Sequence, residues 1–177
     1  MKLSDEQKRA LINLAKDAIL AVFERRAPQL PDDEAFREKR GLFVTLNLKG
    51  ELRGCIGYIQ PYKTIAQSVA EMAVAAAFED YRFPPLRREE LDEIEIEISL
   101  LSPLVELKSI DEILVGRDGL FLQHPYGSGL LLPQVATEYN WDRDTFLDHL
   151  CAKAGVRIGA HKDKGAKLFS FQAQVFG

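Results

Sequence analysis

The chain is 177 residues long and 19.9 kDa, with 46% hydrophobic and 28% charged residues, 23 Lys+Arg against 27 Asp+Glu, and a pI near 5.5. A chain of this size buries about 70% of the surface its unfolded form exposes, and its acidic balance argues against a nucleic-acid partner. Two cysteines without a CxxC or CxxH pair exclude a disulfide scaffold and a zinc finger, and charges throughout the opening segment, with no apolar run near the roughly 20 residues of a membrane span, point to a cytoplasmic protein with no membrane partner.

Ser4 and Gln7 form a capping box that opens a helix. Leu11, Ala15, Ala18 and Val22 give it an apolar stripe, and Arg25 and Arg26 suit its negative end. Residues 27–41 carry two prolines and mixed charge and read as an exposed connection. Leu42, Val44, Leu46 and Leu48 alternate with Phe43, Thr45 and Asn47 as a strand, Lys49-Gly50 makes a turn, and residues 51–60 return as the second arm of a hairpin. Thr64 and Gln67 form another capping box before an alanine-rich segment that is apolar nearly all round, the pattern of a buried central helix. Pro84 and Pro85 then stop helical structure.

Ile94, Ile96, Ile98 and Leu100 alternate with Glu95, Glu97 and Ser99, a strand with one acidic, solvated face. Ser109 with Glu112 caps a short turn, and Leu120–His124 reads as a strand followed by the glycine loop PYGSG. Pro133 suits the first position of one helix and Asp142 the N-cap of the next, with Phe146, Leu147, Leu150 and Cys151 inward and Gly155 as its stop. Phe169, Phe171, Ala173 and Val175 predict one last strand joining the main sheet. Helices and mostly antiparallel strands in mixed order define an α+β class: an antiparallel sheet flanked by helices, with no repeat and no second domain boundary.

The unusual stretch is LRGCIG, residues 52–57. Glycines weaken a strand, so two of them mark a bulge or a close approach by another backbone or a ligand. In a regular strand Arg53, Cys55, Gly57 and Ile59 share a face, which sets a guanidinium near the thiol, where a cation favours the thiolate. Alternatively, the amides around Gly54 and Gly57 converge on an anion with Arg53 as its charged partner. A third reading makes Cys55 a small buried hydrophobe and the glycines a seat for the alanine-rich helix. Asp80 and Arg82 follow that helix and place charges at a site rim, or satisfy backbone groups and each other.

LRGCIGYI, AAAFEDYRFPPL, IEISLLSPL and GLLLPQVATEYNW together resemble the AMME chromosomal region protein family, known in bacteria and archaea as AmmeMemoRadiSam system protein A. The likeness runs from the first helix to the end of the chain and makes 1–177 a single family domain. It implies a larger and a smaller lobe with a cleft between them, and LRGCIG as the family signature. The system's name implies a link to a Memo-like protein and a radical SAM protein. No activity follows from it. One departure stands out: Gly159, Ala160 and His161 occupy a place where a Trp-containing segment is expected.

The matching positions raise Arg53, Gly54, Gly57 and Arg82 as ligand-binding residues for a small, anionic molecule, with Cys55 as the nucleophile and His124 or Asp80 as its acid or base. The competing reading is a noncatalytic interaction or delivery module. His149 and Cys151 are two apart on one helix and point apart, so neither a metal nor a cofactor is assigned. Tyr126, Gln134 and Trp141 are weaker candidates for a pocket lining, and Lys162, Lys164 and Lys167 read as a solvated loop.

Overall fold

A computed structural model describes residues 2–177. The helices are α1 (Asp5–Glu24), α2 (Ile65–Phe78), α3 (Pro133–Glu138) and α4 (Arg143–Lys153). The strands are β1 (Leu42–Leu48), β2 (Glu51–Tyr58), β3 (Ile94–Leu101), β4 (Val105–Glu106), β5 (Gly119–His124), β6 (Gly127–Leu131), β7 (Lys167–Phe171) and β8 (Ala173–Phe176). They form two four-stranded sheets, ordered β2-β1-β3-β8 and β4-β7-β5-β6, and the fold is α+β. The chain divides into two compact units, one running to Leu101 and including Gln174–Gly177, the other Ser102–Ala173.

In the first unit both expected capping boxes form, on Ser4/Gln7 and Thr64/Gln67. The alanine-rich α2 buries ten of its residues, among them Ala73, Ala76 and Ala77, against β1, β2 and α1. The core is closed by Leu42, Val44 and Leu46 from β1 and Ile94, Ile96 and Ile98 from β3, facing Leu11, Leu14 and Ile19 of α1. The connection 27–41 is less exposed than its composition suggests. Asp33 caps a short 3-10 turn, Glu34–Arg37, that buries Phe36.

The hairpin departs from a regular one. Leu48 pairs with Glu51 and Asn47 with Leu52, but Leu46 pairs with Gly54, so Arg53 is an extra residue in a β-bulge. A one-residue slip sends every later side chain to the opposite face. Gly54, Ile56 and Tyr58 consequently lie opposite Leu46, Val44 and Leu42 toward the helices, while Cys55 and Gly57 lie opposite Thr45 and Phe43 on the outer face. The expected common face for Arg53 and Cys55, drawn for a regular strand, does not apply.

In the second unit the Asp142 cap, Pro133 at the start of α3 and the left-handed Gly155 after α4 form as the sequence predicts. Two elements differ. The expected PYGSG loop is mostly strand: a two-residue turn, Pro125-Tyr126, joins His124 to Gly127, and Gly127-Ser128-Gly129 pair back along β5. Gly127 and Gly129 admit the end of α4, since a Cβ on Gly129 would stand 2.6 Å from the Ala154 nitrogen. The expected final strand is two strands, β7 in the second sheet and β8 in the first, interrupted at Gln172, whose backbone bonds Ser102 instead.

Candidate functional site

β2 is an edge strand, and its free edge is closed by the segment after α2 rather than by another strand. Asp80 accepts a hydrogen bond from the Cys55 amide at 2.9 Å, and Arg82 Nη2 donates to the Cys55 carbonyl at 3.3 Å. The two side chains also bind each other, Arg82 Nε to Asp80 Oδ1 at 2.9 Å and Nη2 to Oδ2 at 2.7 Å. A carboxylate and a guanidinium thus supply the acceptor and donor that a neighbouring peptide would offer, which protects the edge. They grip both polar atoms of the cysteine's backbone.

Asp80 is 4% exposed, and its carboxyl is held well below the ordinary range. The Arg82 guanidinium is the main cause, assisted by the amides of Cys55 and Arg82 against the opposing cost of burial. A carboxylate so fixed as an ion, bonded to the Cys55 amide, does not suit the expected acid/base role beside the thiol. Arg82 is different, because its side chain is 45% exposed and its bonds use Nε and Nη2, leaving the Nη1 donors over.

The thiol of Cys55 is partly exposed on the outer face, and Thr45 Oγ1 lies 3.3 Å from Sγ across the strand pair. On the other side of Thr45 the register places Glu97, so thiol, hydroxyl and carboxylate form a row across three strands. Thr45 was missed by sequence reasoning. A hairpin counted from the Lys49-Gly50 turn without a bulge pairs it with Gly54.

Arg53 is buried and fully engaged elsewhere. Its Nε and Nη2 meet Glu90 Oε1 and Oε2 at 2.9 and 3.1 Å, and Nη1 donates to the Pro84 carbonyl at 2.9 Å. Glu90 also accepts from the Arg87 amide, and the Arg53 guanidinium holds its carboxyl at about 2. The guanidinium expected to serve an anion or the thiolate is therefore a structural pin between the bulge and the double proline. Glu90 was another residue the sequence did not single out.

The two glycines of β2 are explained by contacts. A Cβ on Gly54 would penetrate the Ala76 carbonyl of α2, and one on Gly57 would strike the Leu42 carbonyl and the Phe43 ring. Neither is required by a left-handed φ. Gly54 seats the helix, as one of the sequence readings holds.

His124 belongs to the second unit. The Tyr126 amide donates to its Nδ1 at 3.2 Å, which assigns the proton to Nε2, 3.4 Å from Asp163 Oδ2. One ring nitrogen thus serves the β5–β6 turn and the other Asp163, and the expected base for Cys55 has its lone pair occupied. Cys151 is fully buried on α4, with Sγ 3.7 Å from Nδ1 of His161. Among the described residues no group of three or more His, Cys, Asp or Glu is placed to hold a metal ion, and no helix is long and apolar enough to cross a membrane.

A two-unit α+β chain with a clamped cysteine strand defines the class, and comparison with known proteins defines the family. The AMMECR1 family model matches residues 12–176. A protein of Methanothermobacter thermautotrophicus is 44% identical over 98% of this chain and 95% of its own length, and one of Thermofilum pendens is 41% identical over 99% and 91%. The crystal structure of the uncharacterised protein PH0010 of Pyrococcus horikoshii is 36% identical and superposes with a TM-score of 0.90, covering 99% of this chain and 93% of that one. The chain belongs to the AMMECR1 family.

Proposed function

We propose that this is a cytoplasmic protein that binds a small anionic ligand on the outer face of β1–β2, with the Cys55 thiol as the group that touches it. The observation that carries this reading is the thiol itself: partly exposed, in contact with the Thr45 hydroxyl, and held by its own peptide between Asp80 and Arg82. Fixed thiols with a donor alongside offer both binding and nucleophilic chemistry. Arg82 supplies the cation, because Arg53 is consumed by Glu90.

The test compares alkylation of Cys55 by neutral iodoacetamide and anionic iodoacetate in the intact chain. A cation at the site makes the iodoacetate-to-iodoacetamide rate ratio several-fold higher than for free cysteine, and Arg82→Gln returns it to the free value. Pyrophosphate or citrate slows both reagents in the native chain. The buried Cys151 is the internal control and stays unmodified. A ratio equal to that of free cysteine, with no protection by either anion, would sink the reading.

One observation favours the second reading, an interaction module for a Memo-like protein and a radical SAM protein. Tyr81, between the two clamp residues, is 96% exposed, and exposed aromatics of this kind are frequent anchors at interfaces. In that case Tyr81→Ala abolishes binding of the purified partners and Cys55→Ala leaves it unchanged.

A further inference from the structure

We propose that the end of the second unit around the Pro125-Tyr126 turn docks an acidic segment of a partner protein, a short stretch of carboxylates beside an apolar anchor. Residues 153–167 carry five Lys or Arg against one acid, Asp163, in a chain whose net charge is −4. The basic excess of this segment therefore stands against an acidic remainder. The fold gathers it at the turn. A Cβ on Gly127 would meet the Ala154 carbonyl, and one on Gly165 would lie 3.4 Å from Pro125. Asp163 lies 3.4 Å from His124 and pairs with Arg157, and Lys167 stands opposite Gln123. The stretch that reads as a solvated loop in the sequence is thus an ordered frame, with Ala160–Lys162 wound into a 3-10 turn on the fully buried Ala160.

Charge and apolar surface together select the partner. Arg157 is spent on Asp163, and Lys167 stands 3.8 Å from Glu106. Lys153, Lys162 and Lys164 are exposed and, among the described residues, have no ion-pair partner. The acids of α4 that approach the segment, Asp144 and Asp148, do so at His161. Among these free ammonium groups stand two apolar tips, Tyr126 and Ile158, 89% and 65% exposed. Each sits on held backbone: the Tyr126 amide donates to His124, and Ile158 follows the Arg157 bound to Asp163. Covering them therefore orders little that is not ordered already, and exposed aromatics are frequent interface anchors. Carboxylates flanking an apolar side chain complement this surface in both respects. A nucleic acid needs a longer basic track than this chain offers over its acidic remainder. The free lysines also fall short of the roughly four to eight cations of a lipid-binding cluster.

The test uses the full chain and a pair of short fluorescein-labelled peptides, one with glutamates flanking a Phe-Leu pair and one with lysines in their place, read by fluorescence anisotropy. The glutamate peptide binds at least about ten-fold more tightly than its lysine counterpart, and its affinity falls as ionic strength rises from about 0.05 to about 0.3 M. Lys162→Glu combined with Lys164→Glu weakens it by about ten-fold or more, Lys164→Gln alone weakens it less, and Tyr126→Ala weakens it several-fold. The proposal is overturned if neither peptide binds at about 1 mM, if the two bind alike, or if the lysine reversals leave affinity unchanged. Tighter binding of oligouridylate, or of phosphatidylserine vesicles, through the same lysines would also overturn it, by assigning the patch to a nucleic acid or to a membrane.

Discussion

Two edge strands, one in each unit, solve the same packing problem with the same residue. In β2 Gly54 admits the Ala76 carbonyl of α2, and in β6 Gly127 and Gly129 admit the end of α4 at Ala154. Beyond that they diverge. β2 contains a bulge, a half-exposed cysteine on the face away from the helices, and a carboxylate–guanidinium pair on its free edge. β6 is regular, and the histidine across its turn is spent on the Tyr126 amide and Asp163. Gly54, Gly127 and Gly129 therefore mark where the end of a helix touches a strand, in either unit, and say nothing by themselves about a ligand. What sets β2 apart is the arrangement around its glycine.

The largest effect expected is from filling the shared contact. Gly54→Val and Gly127→Val each force a side chain into backbone, the Ala76 carbonyl of α2 and the Ala154 carbonyl at the cap of α4, and each should cost at least about 3 kcal/mol. Urea unfolding measures the loss, and amide exchange localises it: to the first unit for Gly54, the second for Gly127. A cost below about 1 kcal/mol at either position would break the parallel between the strands.

Next comes the pin that only β2 possesses. Arg53→Met leaves the buried Glu90 carboxylate with only the Arg87 amide and the exposed Arg87 side chain 3.5 Å away, and removal of one member of a buried pair costs about 3–5 kcal/mol. The pairing also predicts a pH dependence. Glu90 titrates at about 2 in the folded chain against an ordinary 4.5, so the unfolded state takes up its proton first as pH falls. The stabilisation is complete above about 4.5 and is lost between there and about 2. Acid titration of native chain and Arg53→Met should differ in that window and run parallel above it. Parallel curves throughout would show the pair to be electrostatically idle.

How much of this was legible in the sequence follows the range of the interactions. Capping boxes, the stripe of α1 and the strand alternation are local and are readable by spacing alone. The family likeness was legible too, on the strength of LRGCIG and its companion segments. The bulge was not, because nothing in LRGC states that Arg53 is skipped; a regular hairpin places Cys55 opposite Val44, inside the core, and the real register places it opposite Thr45, outside. Arg53 stands two residues from the thiol in sequence, yet Glu90, 37 residues away, claims it. His124 likewise looked available because its partner Asp163 lies 39 residues on. Charge pairing across such distances is decided by the fold, and a single sequence holds no record of it.

The smallest effect expected belongs to the second unit and its own cysteine. His161 sits beside the buried Cys151, and its Nε2 is enclosed without a hydrogen-bond partner. Burial is the main cause holding its pKa below 6.5; Lys162 adds to it, and Asp148, Asp144 and Asp163 oppose it. A histidine kept neutral by the fold binds its proton more readily in the unfolded chain. Stability is therefore full above about pH 6.5 and declines as pH falls through that value toward the folded one. Because the residue is only partly buried, the loss should stay under about 1 kcal/mol. Trp141, the one tryptophan in the chain, lies in this unit and reports its unfolding. It stacks on His149 at 3.8 Å, so its intensity responds to that ring as well. The informative quantity is the difference in unfolding free energy between the native chain and His161→Phe at pH 7.5 and at pH 5.5. A gap that changes between the two assigns the titration to the Cys151–His161 pair. A constant gap would leave that pair as packing, and Cys55 as the single cysteine of the two whose surroundings go beyond it.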